Sequence, residues 1–214
     1  AKKHCLRPGQ ILSIGFLMVA IIGALLLMLP ISTTEGNAID FVDALFTSTS
    51  AVCVTGLIVV NTGEAFTLFG QIVILLLIQI GGLGFMTMAS LFFMAIGKRF
   101  SLKERLVIQE SFNSDTLQGL IRLVRNAVVI ALSVETVGAI VLSFAFVPDF
   151  GWGKGIFSGI FISVSAFCNA GFDPLGMTNS LEAYISDPLV NIPIMLLIVT
   201  GGLGFAVLMD ILHL

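Results

Sequence analysis

Two short phrases hold most of the chemistry this chain can offer: "TSTSAVCVTGLIVV" at 47–60 and "ISVSAFCNAGFDPL" at 162–175. Each places a cysteine three residues before a glycine, Cys53 before Gly56 and Cys168 before Gly171, after serines and other small residues. The three cysteines, Cys5, Cys53 and Cys168, are too few and too dispersed for a disulfide framework or a zinc site. His4 and His213 stand at opposite ends, so no histidine chemistry is visible. Within the loops themselves, neither Cys53, Val54, Thr55 and Gly56 nor Cys168, Asn169, Ala170 and Gly171 supplies a formal charge. Their remaining ligands are backbone carbonyls, which can replace the hydration shell of a cation. Gly56 and Gly171 suit that task because glycine readily takes the positive φ that turns a carbonyl inward. Cys53 and Cys168 read as small, weakly polar residues rather than disulfide partners.

The elements around these loops belong to a membrane. Of 214 residues, 57% are hydrophobic and only 11% charged, against roughly 25% charged in soluble domains. Segments 10–29, 66–96, 120–147 and 189–212 are each long enough to cross about 30 Å of hydrocarbon. The second, at roughly 46 Å by helical rise, must tilt or project into water. The apolar run after "KKHCLR" exceeds a signal-peptide core and no A-x-A site follows, so a cleaved leader is not expected. Lys2, Lys3, Arg7, Lys98, Arg99, Lys103, Arg105, Arg122 and Arg125 fall on one side, and Lys154 alone on the other. That bias predicts a cytoplasmic N-terminus and a cytoplasmic 98–118 linker. The opposite side carries Glu35, Asp40, Asp43, Glu64, Asp149, Asp173, Glu182 and Asp187. These acids either concentrate cations at an entrance or are ordinary solvated loop residues.

Stretches 39–51 and 154–166 are apolar but too short to span, and each reads as a re-entrant half-helix leading into a glycine loop. Phe46, Ser48, Ser50, Ala51, Cys53 and Gly56 recur 115 residues later as Phe161, Ser163, Ser165, Ala166, Cys168 and Gly171. "GGLGF" at 81–85 recurs at 201–205. The expected fold is therefore all-α and integral to the membrane, with two tandem repeats of membrane helix, pore half-helix and membrane helix. The repeats are placed at 1–97 and 119–214, with the linker at 98–118. Irregular backbone at membrane depth must be buried in protein or line a watery path, and a half-helix C-terminus favours a cation. Small residues permitting close helix packing are the plainer alternative.

Gly81, Gly82, Gly84, Gly201, Gly202 and Gly204 sit within apolar helices, where packing behind the loop or a hinge are both open. The motif lacks the strand a nucleotide-binding glycine loop requires. Glu135, near the middle of the third span, should face protein or water. A support role, holding loop N–H groups, fits it better than an ion relay, because no second acid or histidine accompanies it. Segment 102–113 is amphipathic and suits a membrane surface or a cytoplasmic partner. Gly63, outside the repeated loop, is expected to tolerate a side chain.

With "LMLPIST", "IDFVDALFTSTSAVCVTGL", "LIQIGGLGFMTM", "KERLVIQE", "AFCNAGF" and "TGGLGF", the chain resembles the membrane subunit of the Ktr/Trk/HKT potassium-uptake superfamily, most closely its Ktr branch. The resemblance implies four repeats around one pore, so this chain is expected to be an N-terminal half. It makes Cys53–Gly56 and Cys168–Gly171 filter residues for K+, with Na+ a possible coupling or activating ion. Val54 against Asn169 and Thr55 against Ala170 exclude fourfold symmetry, and one glycine per loop suggests moderate selectivity. It further implies a bacterial plasma-membrane location and a cytoplasmic nucleotide-binding regulatory ring. A homodimer of the full-length subunit is expected too. The lipid bilayer is the remaining partner, with no nucleic acid, no enzymatic activity and no cofactor in this chain. A secondary ion-coupled transporter with broken helices and a non-transporting scaffold are the alternatives, separable by flux measurements.

Overall fold

A computed structural model describes residues 8–34, 39–84, 120–176 and 180–211. The 98–118 linker with its amphipathic segment, the N-terminal basic residues and the second span beyond Gly84 lie outside the described residues.

Helix α1, Pro8–Leu27, is apolar on every side. Ala20, Gly23, Ala24 and Leu27 are buried at helical spacing, while Leu17, Met18, Ile22 and Leu25 are each more than half exposed. A helix apolar all round belongs in a protein core or a bilayer. Helix α2, Phe41–Val52, packs against α1 and against α4, Leu68–Leu83. Between them lies the single turn α3, Thr62–Ala65, capped by Asn61, whose side chain accepts from the Gly63 N–H. Thr67 caps α4 in the same way.

Helix α5, Leu120–Phe167, carries what sequence divides into a span at 120–147 and a half-helix at 154–166. Helix geometry breaks at Gly151, φ 75° and ψ 171°, and the chain folds back there, so that Gly155 lies against Val147, Gly159 against Ser143, and Ser163 Oγ donates to Glu135 O. Pro148 lacks the N–H that would continue the ladder, and glycine absorbs the reversal. A short 3-10 turn, Ser180–Tyr184, leads to α6, Pro188–Gly202, which Asp187 caps through the Leu189 N–H. The expected uninterrupted span 189–212 is corrected here: α6 ends at Gly202 and α7, Phe205–Ile211, begins after Gly204 at φ 81°. Gly84 ends α4 in the same conformation, φ 83°. A left-handed residue cannot extend a right-handed helix, so Gly84 and Gly204 break the helical path, whereas Gly81, Gly82, Gly201 and Gly202 lie within α4 and α6 as expected.

Among the described residues there is no strand, only an isolated bridge between Thr33 and Phe66. Among the described residues the stretch Val124–Phe167, which contains the Gly151 break, is alone both long and apolar enough to cross a membrane; Leu12–Leu27, Leu68–Leu83 and Pro188–Gly202 are apolar but shorter. The two halves meet where α4 lies against α5. They share a core: Phe66, Ile74 and Ile78 pack with Phe161, Ala170 and Phe172.

Candidate functional site

Both short helices unwind by the same steps. At the end of α2, the backbone N–H of Cys53 donates to Thr49 O at 2.8 Å, Val54 to Ala51 O at 3.2 Å and Thr55 to Ser50 O at 2.9 Å. At the end of α5, Cys168 donates to Val164 O at 2.9 Å, Asn169 to Ala166 O at 3.0 Å and Ala170 to Ser165 O at 2.7 Å. Every donor and acceptor in the second set lies 115 residues after its counterpart. Gly56 and Gly171 have φ of 77° and 73°, as the carbonyl argument requires. Val54 and Asn169 are also left-handed, at φ 55° and 60°. Sequence reasoning missed these two, since it sought positive φ only at glycine. For an L-residue that conformation costs about 1–2 kcal/mol, least for asparagine and most for a β-branched valine.

The seating of the loops is also paired. Ser48 Oγ donates to Ala20 O, and Ser163 Oγ to Glu135 O, both at 2.7 Å. A Cβ on Gly23 or Gly138 would strike the serine hydroxyl of its own pair. A Cβ on Gly81 would fall on the Val52 carbonyl oxygen, and one on Gly201 on that of Phe167. Gly82 lies against Cys168, its Cβ position 2.6 Å from the cysteine Cβ. Gly202 is open, with Asn169 Nδ2 at 4.0 Å, and Gly204 has nothing within 4 Å. Gly81, Gly82 and Gly201 are thus places of close approach, whereas Gly84 and Gly204 reverse the chain.

The loops approach one another directly. The Ala170 carbonyl oxygen lies 2.5 Å from where a Gly56 Cβ would stand, and Gly56 Cα is 3.6 Å from the corresponding point on Gly171. Two helix C-termini, each equivalent to about half a negative charge, therefore converge on a stretch of uncharged backbone. Such an arrangement attracts a cation and repels an anion. The expectation that Gly63 tolerates a side chain is corrected. Its Cβ would lie 2.5 Å from Gly176 Cα and 2.6 Å from Pro174 O, in a loop-to-loop contact that sequence gives no sign of.

Glu135 is 4% exposed and faces protein. Its carboxylate accepts from Gln79 Nε2 at 3.0 and 3.1 Å, and the Cys168 thiol donates to it at 3.9 Å. Among the described residues its partners are the Gln79 amide and the Cys168 thiol, so its contact with the second loop runs through Cys168. The carboxylate joins α4 of the first half to the cysteine that opens the second loop. Gln79 went unmarked, although a glutamine within "LLLIQI" is itself a polar signal in an apolar span. Cys53 and Cys168 are both free thiols.

Near the Pro148–Gly151 break, Tyr184 donates to Asp149 Oδ2 at 2.6 Å, and Lys154 Nζ to Leu175 O at 3.2 Å. Asp173 accepts from the Leu175 N–H at 3.0 Å and from the Ser180 hydroxyl. Burial pushes its carboxyl above the ordinary range, partly offset by the Leu175 N–H. These contacts tie the return path of the second loop to the Pro148–Gly151 break, and Lys154 serves there as a loop brace. Among the described residues no group of His, Cys, Asp and Glu is placed to hold a metal.

Comparison with known proteins places this geometry in context. The family described as TrkH, cation transport protein, matches residues 7–213. The chain is 51% identical over 205 residues to a Ktr system potassium uptake protein B of Bacillus subtilis, covering 96% of this chain and 45% of that protein. It is 45% identical to potassium/sodium uptake protein NtpJ of Enterococcus hirae, covering 97% and 46%. With a Ktr system potassium uptake protein B of Vibrio alginolyticus it shares 42%, covering 98% and 46%. The chain spans about half the length of the curated relatives it matches.

Proposed function

Because the chain belongs to the TrkH family of cation transport proteins, whose members reside in membranes, we propose that it forms half of a potassium-conducting pore. Residues 1–97 and 119–214 are its two membrane–pore–membrane repeats, joined by a cytoplasmic linker at 98–118. The carbonyls of Cys53 to Gly56 and of Cys168 to Gly171 line two sides of a filter that K+ enters from outside. The observation that carries this reading is the repeated, paired unwinding of two helix C-termini, with Gly56 and Gly171 left-handed and facing one another. Uncharged carbonyls at such a site exchange for water around a cation without holding it as tightly as a carboxylate would.

The relatives' names, potassium uptake and potassium/sodium uptake, support K+ as the transported ion, with Na+ as a coupling or activating ion. Two further repeats would complete the ring. "Ktr system" names an assembly, which supports further components; a cytoplasmic nucleotide-binding ring and a homodimer of the full-length subunit complete the proposal. Glu135 and the glycines behind the loops hold the walls and do not touch the ion.

The test is K+ and Na+ tracer uptake by the full-length subunit carrying Gly56→Ser. The new side chain would be strained at φ 77° and would meet the Ala170 carbonyl, so discrimination between K+ and Na+ should fall while cation uptake persists. Gly153→Ser serves as control, since nothing lies within 4 Å of that position. An unchanged K+-to-Na+ ratio in Gly56→Ser would remove Gly56 from the filter.

A further inference from the structure

Helices α4 and α5 leave a cavity of about 830 Å³ between the two halves. Its walls include Leu76, Leu132, Ile140, Phe144 and Trp152, each at least half exposed, so among the described residues it opens on an apolar surface. From Leu132 to Val147 it follows α5 for roughly 22 Å at the helical rise. At its floor stand Gln79 and Glu135. The Glu135 carboxylate has neutral partners, the Gln79 amide and the Cys168 thiol, and among the described residues it meets no cation. A carboxylate at membrane depth is costly and gains from a positive partner. A partner reaching it through an apolar groove must itself be largely apolar.

We propose that this groove binds a lipophilic amine, its single hydrocarbon chain lying along α5 and its ammonium at the Glu135 carboxylate. Charge complementarity selects this occupant over a bilayer acyl chain or another protein segment, since either could fill the apolar walls but neither brings a cation to the floor. A bound ammonium would compete with Gln79 and Cys168 for the same oxygens, so occupancy is felt at the second glycine loop. The site rests on the membrane setting of α4 and α5 and is independent of the filter assignment.

The experiment is saturable binding of radiolabelled dodecylamine and dodecanol to the full-length subunit in nanodiscs, measured over empty nanodiscs. The amine should bind about tenfold more tightly than the alcohol. Glu135→Gln should remove that difference, and Thr136→Phe, which fills the groove from an exposed wall position beside Glu135, should abolish amine binding. Each variant is read only as monodisperse, folded protein. Equal affinity for amine and alcohol would leave a plain acyl-chain groove and overturn the proposal. So would amine binding that survives Glu135→Gln or Thr136→Phe, or no saturable binding to the folded wild-type protein. A change of oligomeric state in Thr136→Phe with amine binding retained would assign the groove to a protein contact instead.

Discussion

The first and second glycine loops share a backbone and its serine and glycine seating, and differ in the side chains beyond it. Position 20 is alanine and its counterpart 135 is glutamate, yet each backbone carbonyl accepts the same serine hydroxyl at 2.7 Å. Cys53 is exposed, whereas Cys168 sits between Gly82 and the Glu135 carboxylate. Beyond Gly56 the chain exposes Leu57, Ile58 and Val59, while beyond Gly171 it buries Phe172 and Leu175. The loop conformation therefore needs only a helix end, two left-handed residues and a glycine pressed on the last helical carbonyl. Support from side chains is a local matter, and the second loop has more of it.

The largest expected effect tests whether two such loops suffice. Residues 1–214 purified alone should give no K+-selective flux in liposomes, because carbonyls on two sides cannot enclose an ion. Selective flux from the fragment would remove the need for further repeats.

Next comes the asymmetry of the facing glycines. Both Gly56→Ser and Gly171→Ser suffer left-handed strain of about 1–2 kcal/mol, but only the Gly56→Ser side chain also meets the opposite carbonyl at 2.5 Å. The K+-to-Na+ uptake ratio should thus fall further in Gly56→Ser than in Gly171→Ser, and the reverse order would show that the close approach is not kept in the whole protein.

A smaller effect probes the strut that only the second half possesses. Glu135→Leu leaves the Gln79 amide unpaired, a cost of about 1–3 kcal/mol, and should lower folded yield and K+ uptake. Glu135→Gln keeps a hydrogen-bond acceptor and should retain most of both. Near-complete loss of uptake in a well-folded Gln variant would instead give Glu135 a direct ionic role.

The mildest test compares the two thiols. Single-cysteine proteins should label faster at Cys53 than at Cys168 with a small maleimide, and Glu135→Ala should narrow the gap by loosening Cys168. Equal rates from the start would mean that the difference in burial is lost in the complete subunit.

Much of this arrangement was legible in the sequence. A chain with 11% charged residues can bury its surface only in lipid, and a phrase repeated at a fixed offset marks two equivalent positions in whatever fold it adopts. Glycine within such a phrase marks the point where the chain must turn, and both glycines are left-handed. What sequence alone left open depends on contacts between distant residues. Gly63 looked free because its neighbour is Gly176, over a hundred positions away. Glu135 could be placed in a span, but its partner Gln79 comes from the other half. Val54 carries no local signal for positive φ, which a β-branched residue disfavours, whereas the asparagine at 169 is a residue type that tolerates it. Gly81 and Gly201 read equally as packing positions or hinges until the carbonyls of Val52 and Phe167 were seen to press on them. Local chemistry determined where the chain turns; only the packing of one half on the other decided which groups stand face to face.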